Sequence, residues 1–290
     1  MRITILSTML ADRRGVGEWG FSALVDARDR RILFDAGGRP DVVLRNAQEL
    51  GCDLAAVEDV VLSHGHWDHT GGLVPLRRAL MGVRAAAVSR AHVAPGFFTP
   101  RTRGGKPFSF GRESRLEYEK LGGRFVEHEG LSQPWPGVWI TGPIPRRHPE
   151  CSLPRDIVAE WPDGPRPDEV LEDCALLVED GDGIAVLTGC GHAGVVNTLE
   201  AARSAVGAAP IRAVVGGLHL FDADDARVDW TGAQLRAFGV EHVLGTHCTG
   251  IEPVFRLRAS AGLDRRTCAV GAVGASYGSG VGIDPGTLAR

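Results

Sequence analysis

Three histidines and one aspartate lie within six consecutive residues of this chain. Residues 64–69 read His-Gly-His-Trp-Asp-His. Imidazole nitrogens and carboxylate oxygens are, beside thiolates, the protein ligands that zinc prefers. A solvated histidine-rich loop is the alternative explanation, but so many ligand-type side chains on such short spacing are typical of a metal site. The stretch therefore predicts that the chain binds metal.

The spacing within this stretch favours two metal positions over one. Side chains two residues apart in extended backbone point the same way, so His64 and His66 can hold one ion together. Gly65 lets the backbone turn, and a helix starting next would redirect Asp68 and His69 towards a second ion. Two zinc ions can lower the pKa of water and polarise an electrophilic oxygen. We therefore expect a hydrolytic centre in which Asp68 is both a metal ligand and the catalytic proton acceptor.

The motif follows a short apolar run, residues 57–62, that has the character of a buried strand. Two further strands, 21–25 and 31–34, are separated by a turn-like sequence and precede it. A helical pattern follows it at 72–80, and then a short strand is predicted at 84–89. The motif is thus expected in the turn between a buried strand and a helix.

The second half repeats the pattern of strands and helices. Its predicted strands are 175–178, 184–187, 211–215, 242–244 and 267–273. The glycine-rich tail after Val273 is expected to have little order. Neither half looks self-sufficient, so we expect one domain over residues 1–290, an α/β (α+β) chain with sheet packed on sheet and helices outside.

Two stretches, 94–115 and 143–167, lack a clear period. The first is rich in Gly, Pro, Arg and Phe and is predicted to be a lid or insertion, whereas the proline-rich second is an irregular connection. Candidate substrate-binding residues in them are Arg101, Arg103, Arg146, Phe97 and Phe108. Guanidinium groups suit a phosphate and the rings suit an apolar or aromatic substrate, although solvated charge and packing of the loop explain these side chains equally well.

Charge and hydropathy argue against several classes of protein. A formal net charge of −4 disfavours a duplex nucleic-acid binder but is compatible with a small anionic or phosphorylated substrate. No apolar run approaches the roughly 20 residues of a membrane span, and residues 1–7 suit a strand better than a signal peptide. The six cysteines are scattered, which is typical of free thiols. We expect a cytoplasmic protein that binds a small molecule and not nucleic acid or membrane; a homo-oligomer is compatible with the sequence.

The His-x-His-x-Asp-His pattern after a buried strand resembles the signature of the metallo-β-lactamase-fold superfamily, and the resemblance extends over most of the chain. It implies a four-layer αββα sandwich with a dinuclear metal site at one edge, between two sheets. The strand end at Asp35 is similar to the family's first motif. There we expect Asp35 to orient a ligand histidine through a hydrogen bond to its other ring nitrogen.

The resemblance also implies metal ligands in the second half. The Thr-Gly-Cys-Gly-His sequence at 188–192 lies where many relatives carry Thr-Gly-Asp. Cys190 therefore replaces the usual bridging carboxylate, and His192 is expected to compensate. His247 fits the family's last motif better than His219, which is either a ligand or a residue that contacts substrate. Cys190 is a further candidate ligand, with a buried packing role as the alternative.

A narrower resemblance is to a subgroup that includes archaeal ribofuranosylaminobenzene 5′-phosphate synthases, whose name denotes a transferase acting on a phosphoribosyl donor. The stretches that carry it are 63–72, 142–146, 188–197, 216–220 and 246–250. Fold and site transfer better than reaction between such relatives. The favoured function is a dinuclear zinc hydrolase of a small ester-like or phosphorylated substrate; a phosphoribosyl-type transferase and a non-catalytic metal- or ligand-binding sensor are the alternatives. Manganese or iron would also suit these ligands.

Overall fold

Two large β-sheets pack face to face in the computed structural model, which describes residues 1–12, 15–150, 152–154 and 156–287. The strands are β1 (Arg2–Ser7), β2 (Ser22–Ala27), β3 (Arg30–Phe34), β4 (Asp59–Val61), β5 (Arg90–Val93), β6 (Arg101–Arg103), β7 (Lys106–Pro107), β8 (Arg124–Glu127), β9 (Ser132–Trp135), β10 (Val138–Ile140), β11 (Ile157–Trp161), β12 (Gly164–Pro167), β13 (Ala175–Asp180), β14 (Gly183–Thr188), β15 (Ile211–Gly216), β16 (His242–Gly245), β17 (Cys268–Val270), β18 (Ser276–Gly278) and β19 (Gly282–Asp284). The helices are α1 (Val42–Glu49), α2 (Trp67–Thr70), α3 (Leu73–Leu80), α4 (Arg112–Lys120), α5 (Val195–Val206), α6 (Asp225–Ala237) and α7 (Ile251–Ser260), with a 3-10 turn at His247–Thr249.

The strand order places the two halves of the chain in separate sheets. Within the described residues, the first sheet runs β19-β18-β1-β2-β3-β4-β5-β8 and the second runs β17-β16-β15-β14-β13-β10-β9. Alternation along β3 shows how the layers form: Ile32 and Phe34 point into the core between the sheets, whereas Leu33 points to the helices on the outer face. Sheet packing thus follows from a period of two in the sequence.

Helices cover the outer faces of both sheets. Residues of α1, α3 and α4 share a core with the first sheet, through side chains such as Val43, Leu73 and Tyr118. Residues of α5, α6 and α7 share a core with the second sheet, as Leu199 and Leu235 do. The layers are therefore helix, sheet, sheet and helix, and the predicted αββα sandwich is confirmed.

Parallel strands in both sheets direct their carboxyl ends towards one region. In the first sheet β3, β4, β5 and β8 are parallel neighbours, and in the second β14, β15, β16 and β17 are. Ligand sites in sheets with parallel strands form at the carboxyl ends of those strands. The turns that follow β4, β14, β15 and β16 carry the residues predicted to bind metal, and the turn that follows β3 carries Asp35.

The two segments predicted to be irregular instead build a third, smaller sheet. Its strand order is β12-β11-β6-β7, and β6 pairs with β11 so that Arg101 lies opposite Ala159. The 94–115 segment contributes β6 and β7, and the 143–167 segment contributes β11 and β12. The prediction of irregular structure is wrong here because these strands are short and flanked by proline and glycine, so that no segment shows enough alternation to be recognised.

Two other expectations differ from the structure. Residues 84–89 form turns, and the strand that follows starts at Arg90. The glycine-rich tail is ordered as β18 and β19, and β18 extends the first sheet by pairing with β1, with Ile3 opposite Tyr277. Cys52, Cys174, Cys190, Cys248 and Cys268 are free thiols, as predicted, and Cys151 lies outside the described residues. Among the helices that are described, none is long and apolar enough to cross a membrane.

Candidate metal centre

Four turns at the carboxyl ends of strands bring the predicted metal ligands together. The motif at 64–69 follows β4, and α2 begins inside it. Cys190 and His192 follow β14, His219 follows β15 and His247 follows β16. The turns after β4 and β14 approach each other closely: a Cβ on Gly189 would lie 2.0 Å from Oγ of Ser63. Glycine is therefore required where the turn after β14 meets the turn after β4.

His64, His66 and His192 form the first group of candidate ligands. Each offers a ring nitrogen, and these three atoms all lie within 4.8 Å of one another. Nε2 of His64 and Nδ1 of His66 are 3.1 Å apart. All three side chains are buried. This group matches the first metal position expected from the sequence, with His192 as its third member.

Hydrogen bonds to the other ring nitrogens fix which atom each histidine can offer. Nδ1 of His64 donates to Oγ of Ser63 at 2.9 Å, since that hydroxyl gives its own proton to a carboxylate. Nδ1 of His192 donates to the carbonyl oxygen of Ser152 at 2.6 Å. His66 is reversed: its Nε2 donates to Asp168 at 2.8 Å. Lone pairs of three nitrogens thus face one point, an arrangement that a cation stabilises and that is unfavourable without one.

Asp68, His69, Cys190 and His247 form a second group with ligand atoms within 4.8 Å of one another. Oδ2 of Asp68 lies 3.8 Å from Nε2 of His69 and 3.5 Å from Nε2 of His247. Sγ of Cys190 lies 3.1 Å from the same Nε2 of His69. Nδ1 of His69 is hydrogen-bonded to Asp35 at 2.7 Å, so Nε2 is the ring nitrogen that faces this group.

Cys190 lies between the two positions. It belongs to the group around Asp68, and also to a third group with His192 and His219. A residue at this place can contact both ions, which is the role that the resemblance assigns to a carboxylate. Both candidates for the last histidine therefore reach the site, but His247 joins the second group and His219 joins Cys190 and His192.

Several buried polar atoms at the centre have no hydrogen-bond partner among the described residues. They are Oδ1 of Asp68, Nε2 of His192, Nδ1 of His219 and both ring nitrogens of His247. Leaving such atoms unpaired costs roughly 1–3 kcal/mol each, so native proteins rarely tolerate a cluster of them. All are lone-pair donors or can become so, and their clustering fits a bound divalent cation.

Electrostatics also suit a cation. Burial and the neighbouring histidines hold the pKa of His64 well below its usual value, and burial together with His219 does the same for the pKa of His192. Burial alone would raise the pKa of Asp68, but His69 and His247 outweigh it and lower that pKa. At neutral pH His64 and His192 therefore offer neutral imidazoles, and Asp68 offers an ionised carboxylate.

His69 has the opposite tendency. Burial lowers its pKa, but the carboxylates of Asp35 and Asp68 dominate and raise the pKa of His69 to about 9. A metal ion at Nε2 must therefore displace a proton at neutral pH. Metal binding to the second group is accordingly expected to weaken as the pH falls.

Strained backbone is concentrated at the centre. Asp35, His219 and His247 have φ angles of 57°, 45° and 47°, in the left-handed region that non-glycine residues rarely adopt. Strain of this kind persists where surrounding contacts enforce it, and it is frequent at functional sites. The backbone nitrogen of His247 is held by Oγ1 of Thr8 at 2.9 Å, which is one such contact.

A cavity of about 280 Å³ opens onto both groups of ligands. Its walls carry three aromatic rings: Phe108 stands 5.3 Å from the ring of His66, and Trp19 stands 5.3 Å from the ring of His247 and 5.6 Å from that of Phe221. Arg103 lines the mouth, where it is paired with Asp156. Phe108 and Arg103 thus line the cavity beside the candidate ligands, and their contact with a substrate stays a prediction.

The other predicted substrate residues point elsewhere, which corrects the prediction. Arg101 is fully buried, and its guanidinium is bound by protein carboxylates. Arg146 donates to the backbone carbonyl oxygens of Glu169 and Val170. Phe97 is buried in the core, against other phenylalanines. The residue types of these three side chains suggested substrate binding, but their burial and their protein partners leave them no contact with the cavity.

Sequence reasoning did not find four residues that contribute to the centre: Ser63, Ser152, Asp168 and Trp19. Ser63 directly precedes the motif, so its position was a usable signal. Ser152 lies 40 residues from its partner His192, and Asp168 lies 102 residues from its partner His66, so no local pattern reveals either of them.

Comparison with known proteins agrees with this architecture. A model of the metallo-beta-lactamase superfamily matches residues 20–206. The 7,8-dihydropterin-6-methyl-4-(beta-D-ribofuranosyl)-aminobenzene-5'-phosphate synthase of Methanocaldococcus jannaschii is 26% identical over 248 residues, which cover 80% of this chain and 81% of that protein. An uncharacterised protein of the same organism is 26% identical over 259 residues, or 88% of this chain and 93% of that protein. The match with the synthase agrees with the subgroup resemblance predicted from the sequence.

Solved structures give the same result. The crystal structure of Tm1679, described as a metal-dependent hydrolase of the beta-lactamase superfamily, is similar with a TM-score of 0.75 and 30% identity, covering 90% of this chain and 93% of that one. YhfI from Bacillus subtilis shares the fold with a TM-score of 0.52 and 14% identity, covering 96% and 99%. The extent of the family match, together with the Tm1679 similarity, shows that the chain belongs to the metallo-β-lactamase superfamily.

Proposed function

We propose that this protein is a dinuclear metal-dependent hydrolase, with zinc as the favoured ion, that acts on a small ester-like or phosphorylated substrate. The observation that carries the proposal is the convergence of unpaired, buried ligand atoms on two adjacent positions below one open cavity. Buried lone pairs that face each other suit a metal centre and suit no packing role. The similarity to Tm1679, a metal-dependent hydrolase of the beta-lactamase superfamily, supports this choice.

Each ligand atom has an assigned position. Nε2 of His64, Nδ1 of His66 and Nε2 of His192 would hold the first ion, because hydrogen bonds occupy their other nitrogens. The second ion would be held by Asp68, Nε2 of His69 and His247, with Cys190 between the two positions. When bound, such ions make water acidic enough to attack at neutral pH and polarise the oxygen of the electrophile.

The protein supplies the remaining functions. Oδ1 of Asp68 has no hydrogen-bond partner among the described residues and is buried beside the cavity, and it would accept a proton from the attacking water. Trp19, Phe108 and Phe221 wall the cavity with apolar surface and limit the access of bulk water. Arg103 at the mouth can attract an anionic group, although its exposure means that the contribution is small.

The test combines metal analysis with a matched pair of variants. We expect two equivalents of zinc per chain after loading, hydrolysis of at least one member of an ester, lactone and phosphodiester panel, and a loss of turnover of roughly 10²- to 10⁴-fold in Asp68→Asn. Asp41→Asn is the control, since Asp41 is exposed and its side chain makes no capping hydrogen bond. Wild-type protein that retains no zinc after loading would contradict the proposal.

A phosphoribosyl-type transferase is the second candidate, and the similarity to the Methanocaldococcus jannaschii synthase favours it. The same centre would then stabilise a pyrophosphate leaving group. Incubation with phosphoribosyl pyrophosphate and an arylamine acid separates the two. Pyrophosphate release that requires the arylamine acceptor supports the transferase, whereas release of products from the ester panel without any acceptor supports the hydrolase.

A further inference from the structure

A fully buried ion cluster lies directly behind the first group of ligands. Its centre is Arg101, which comes from the 94–115 segment and has no exposed side-chain surface. Nε of Arg101 donates to Oδ2 of Asp168 at 2.8 Å, and Nη2 donates to Glu172 at 2.7 Å. Nη1 donates to the backbone oxygen of Thr99 at 3.0 Å. Breaking a buried pair by removal of one partner is costly, so these three charges depend on one another.

Both carboxylates of this cluster also contact the metal-binding motif. Oδ2 of Asp168, which receives Nε of Arg101, also accepts a hydrogen bond from Nε2 of His66 at 2.8 Å. Glu172 accepts the backbone N–H of Gly65 at 3.1 Å. The cluster therefore holds a ligand side chain through one carboxylate and the backbone between two ligands through the other.

Backbone contacts fix the 94–115 segment against the same residues. The N–H of Phe110 donates to the oxygen of Gly65 at 2.9 Å, and the N–H of Trp67 donates to the oxygen of Phe108 at 3.2 Å. A Cβ on Gly65 would lie 2.5 Å from the oxygen of Phe97, so glycine is needed for this close approach. The segment thus lies alongside the motif as well as beside the cavity.

We propose that Asp168 is a positioning residue that holds the ring of His66 so that Nδ1 faces the metal. Arg101 then couples the contact between the 94–115 segment and the 64–69 motif to occupancy of the first metal position. The inference rests on the proposed metal centre. It adds a function for a carboxylate and an arginine that hold no metal and touch no substrate.

Charge explains why the coupling runs in both directions. Two carboxylates surround one guanidinium, so the cluster carries one net negative charge when isolated from solvent. A metal ion at Nδ1 of His66 would make the Nε2–H more acidic and would thereby strengthen its existing hydrogen bond to the Asp168 carboxylate. Coupling between two sites is reciprocal. The contact between the 94–115 segment and the motif therefore increases metal affinity by the same factor by which bound metal stabilises that contact.

Metal affinity tests the positioning step. Zinc would be titrated against a competing chelator in wild type, in Asp168→Asn and in Asp163→Asn, whose carboxylate is exposed at the β11–β12 turn. We expect Asp168→Asn to weaken one of the two equivalents by roughly 10- to 100-fold while the other changes little, and Asp163→Asn to match wild type. Equal affinities in all three proteins would overturn the inference; failure of wild type to bind zinc would instead contradict the proposed function.

Hydrogen exchange tests the coupling step independently of activity. The reporters are the amides of Trp67 and Phe110, which join the motif to the segment. We expect zinc to slow their exchange by about 5-fold or more in wild type and to have much less effect in Asp168→Asn and Arg101→Lys. Circular dichroism establishes that each variant is folded, and Glu172→Gln replaces any variant that is not. Equal zinc-dependent slowing in a folded variant and in wild type would overturn the coupling.

Discussion

Oδ2 of Asp35 lies 2.7 Å from Nδ1 of His69 and holds that ring with its Nε2 towards the second group of ligands. The same carboxylate accepts both the backbone N–H and the hydroxyl of Ser63, each at 2.7 Å. The Ser63 hydroxyl in turn orients His64. One buried side chain thus orients a candidate ligand of each metal position. From the sequence, Asp35 is expected to orient only one histidine.

Replacement of Asp35 by asparagine should weaken zinc binding by roughly 10- to 100-fold, because the ring of His69 loses its anionic partner and Ser63 loses an acceptor. Both equivalents should be affected, in contrast to the single equivalent expected for Asp168→Asn. Competition with a chelator measures this, and Asp41→Asn serves as the exposed control. Unchanged affinity at both positions would show that Asp35 does not orient the ligands.

Cys190 should contribute a thiolate to the metal centre. The cobalt-loaded protein is then expected to show sulfur-to-cobalt charge-transfer absorption in the near ultraviolet, since thiolates bind such ions readily. Cys190→Ser should abolish this absorption. Cys248→Ser should keep it, because Cys248 is buried nearby but belongs to none of the ligand groups among the described residues. Absorption that survives in Cys190→Ser would exclude Cys190 as a ligand.

Glu150 should make the stability of the fold depend on pH. Burial raises the pKa of Glu150 from 4.5 to about 7, although the backbone N–H of Asn197 at the start of α5 partly opposes this. Because the folded-state pKa is above the unfolded value, the stabilisation is complete below pH 4.5 and is lost as the pH rises through 7.

Glu150→Gln keeps an acceptor for the amide but cannot ionise. We expect its free energy of unfolding to match that of wild type near pH 4 and to exceed it by up to about 3 kcal/mol at pH 8. Urea denaturation at several pH values measures the free energy of unfolding of both proteins. In the difference between variant and wild type, the titration of all other groups cancels. A constant difference across the range would contradict the raised pKa.

The ring of Trp19 should contribute to substrate binding more than to turnover. Trp19→Ala removes the aromatic wall beside His247, so KM is expected to rise by about 3- to 10-fold with a smaller change in kcat. Trp230→Ala is the control, because Trp230 is similarly exposed on α6 and does not line the cavity. The measurement uses whichever substrate of the panel is turned over. A larger effect on kcat than on KM would assign Trp19 to the reaction itself.

The sequence predicted the features that local pattern controls. The 64–69 motif is continuous in the chain, so its candidate ligands are recognisable by type and spacing alone. His192 and His247 follow buried strands, and the carboxyl ends of parallel strands meet at one edge. The αββα arrangement followed from strand and helix periods in both halves together with the family resemblance.

The features that were missed depend on distant partners. Arg101 has the residue type and loop context of a phosphate-binding side chain, and only its burial between Asp168 and Glu172 shows otherwise. The strand β18 follows glycines that suggest disorder, yet Tyr277 packs into the core between the sheets and its hydroxyl donates to Asp180 at 2.6 Å. Long-range pairing of this kind overrides local propensity, and a single sequence does not reveal it.

The pairing of β1 with β18 has a consequence for how the protein is made. During synthesis β1 leaves the ribosome long before β18, so its outer edge stays unpaired until β18 has been made, and exposed edges promote aggregation. Thr8, at the end of that strand, also holds the backbone of His247. Metal uptake at the proposed centre should therefore follow the pairing of β1 with β18, and zinc supplied during refolding should raise the yield of native protein more than it raises the initial rate of folding.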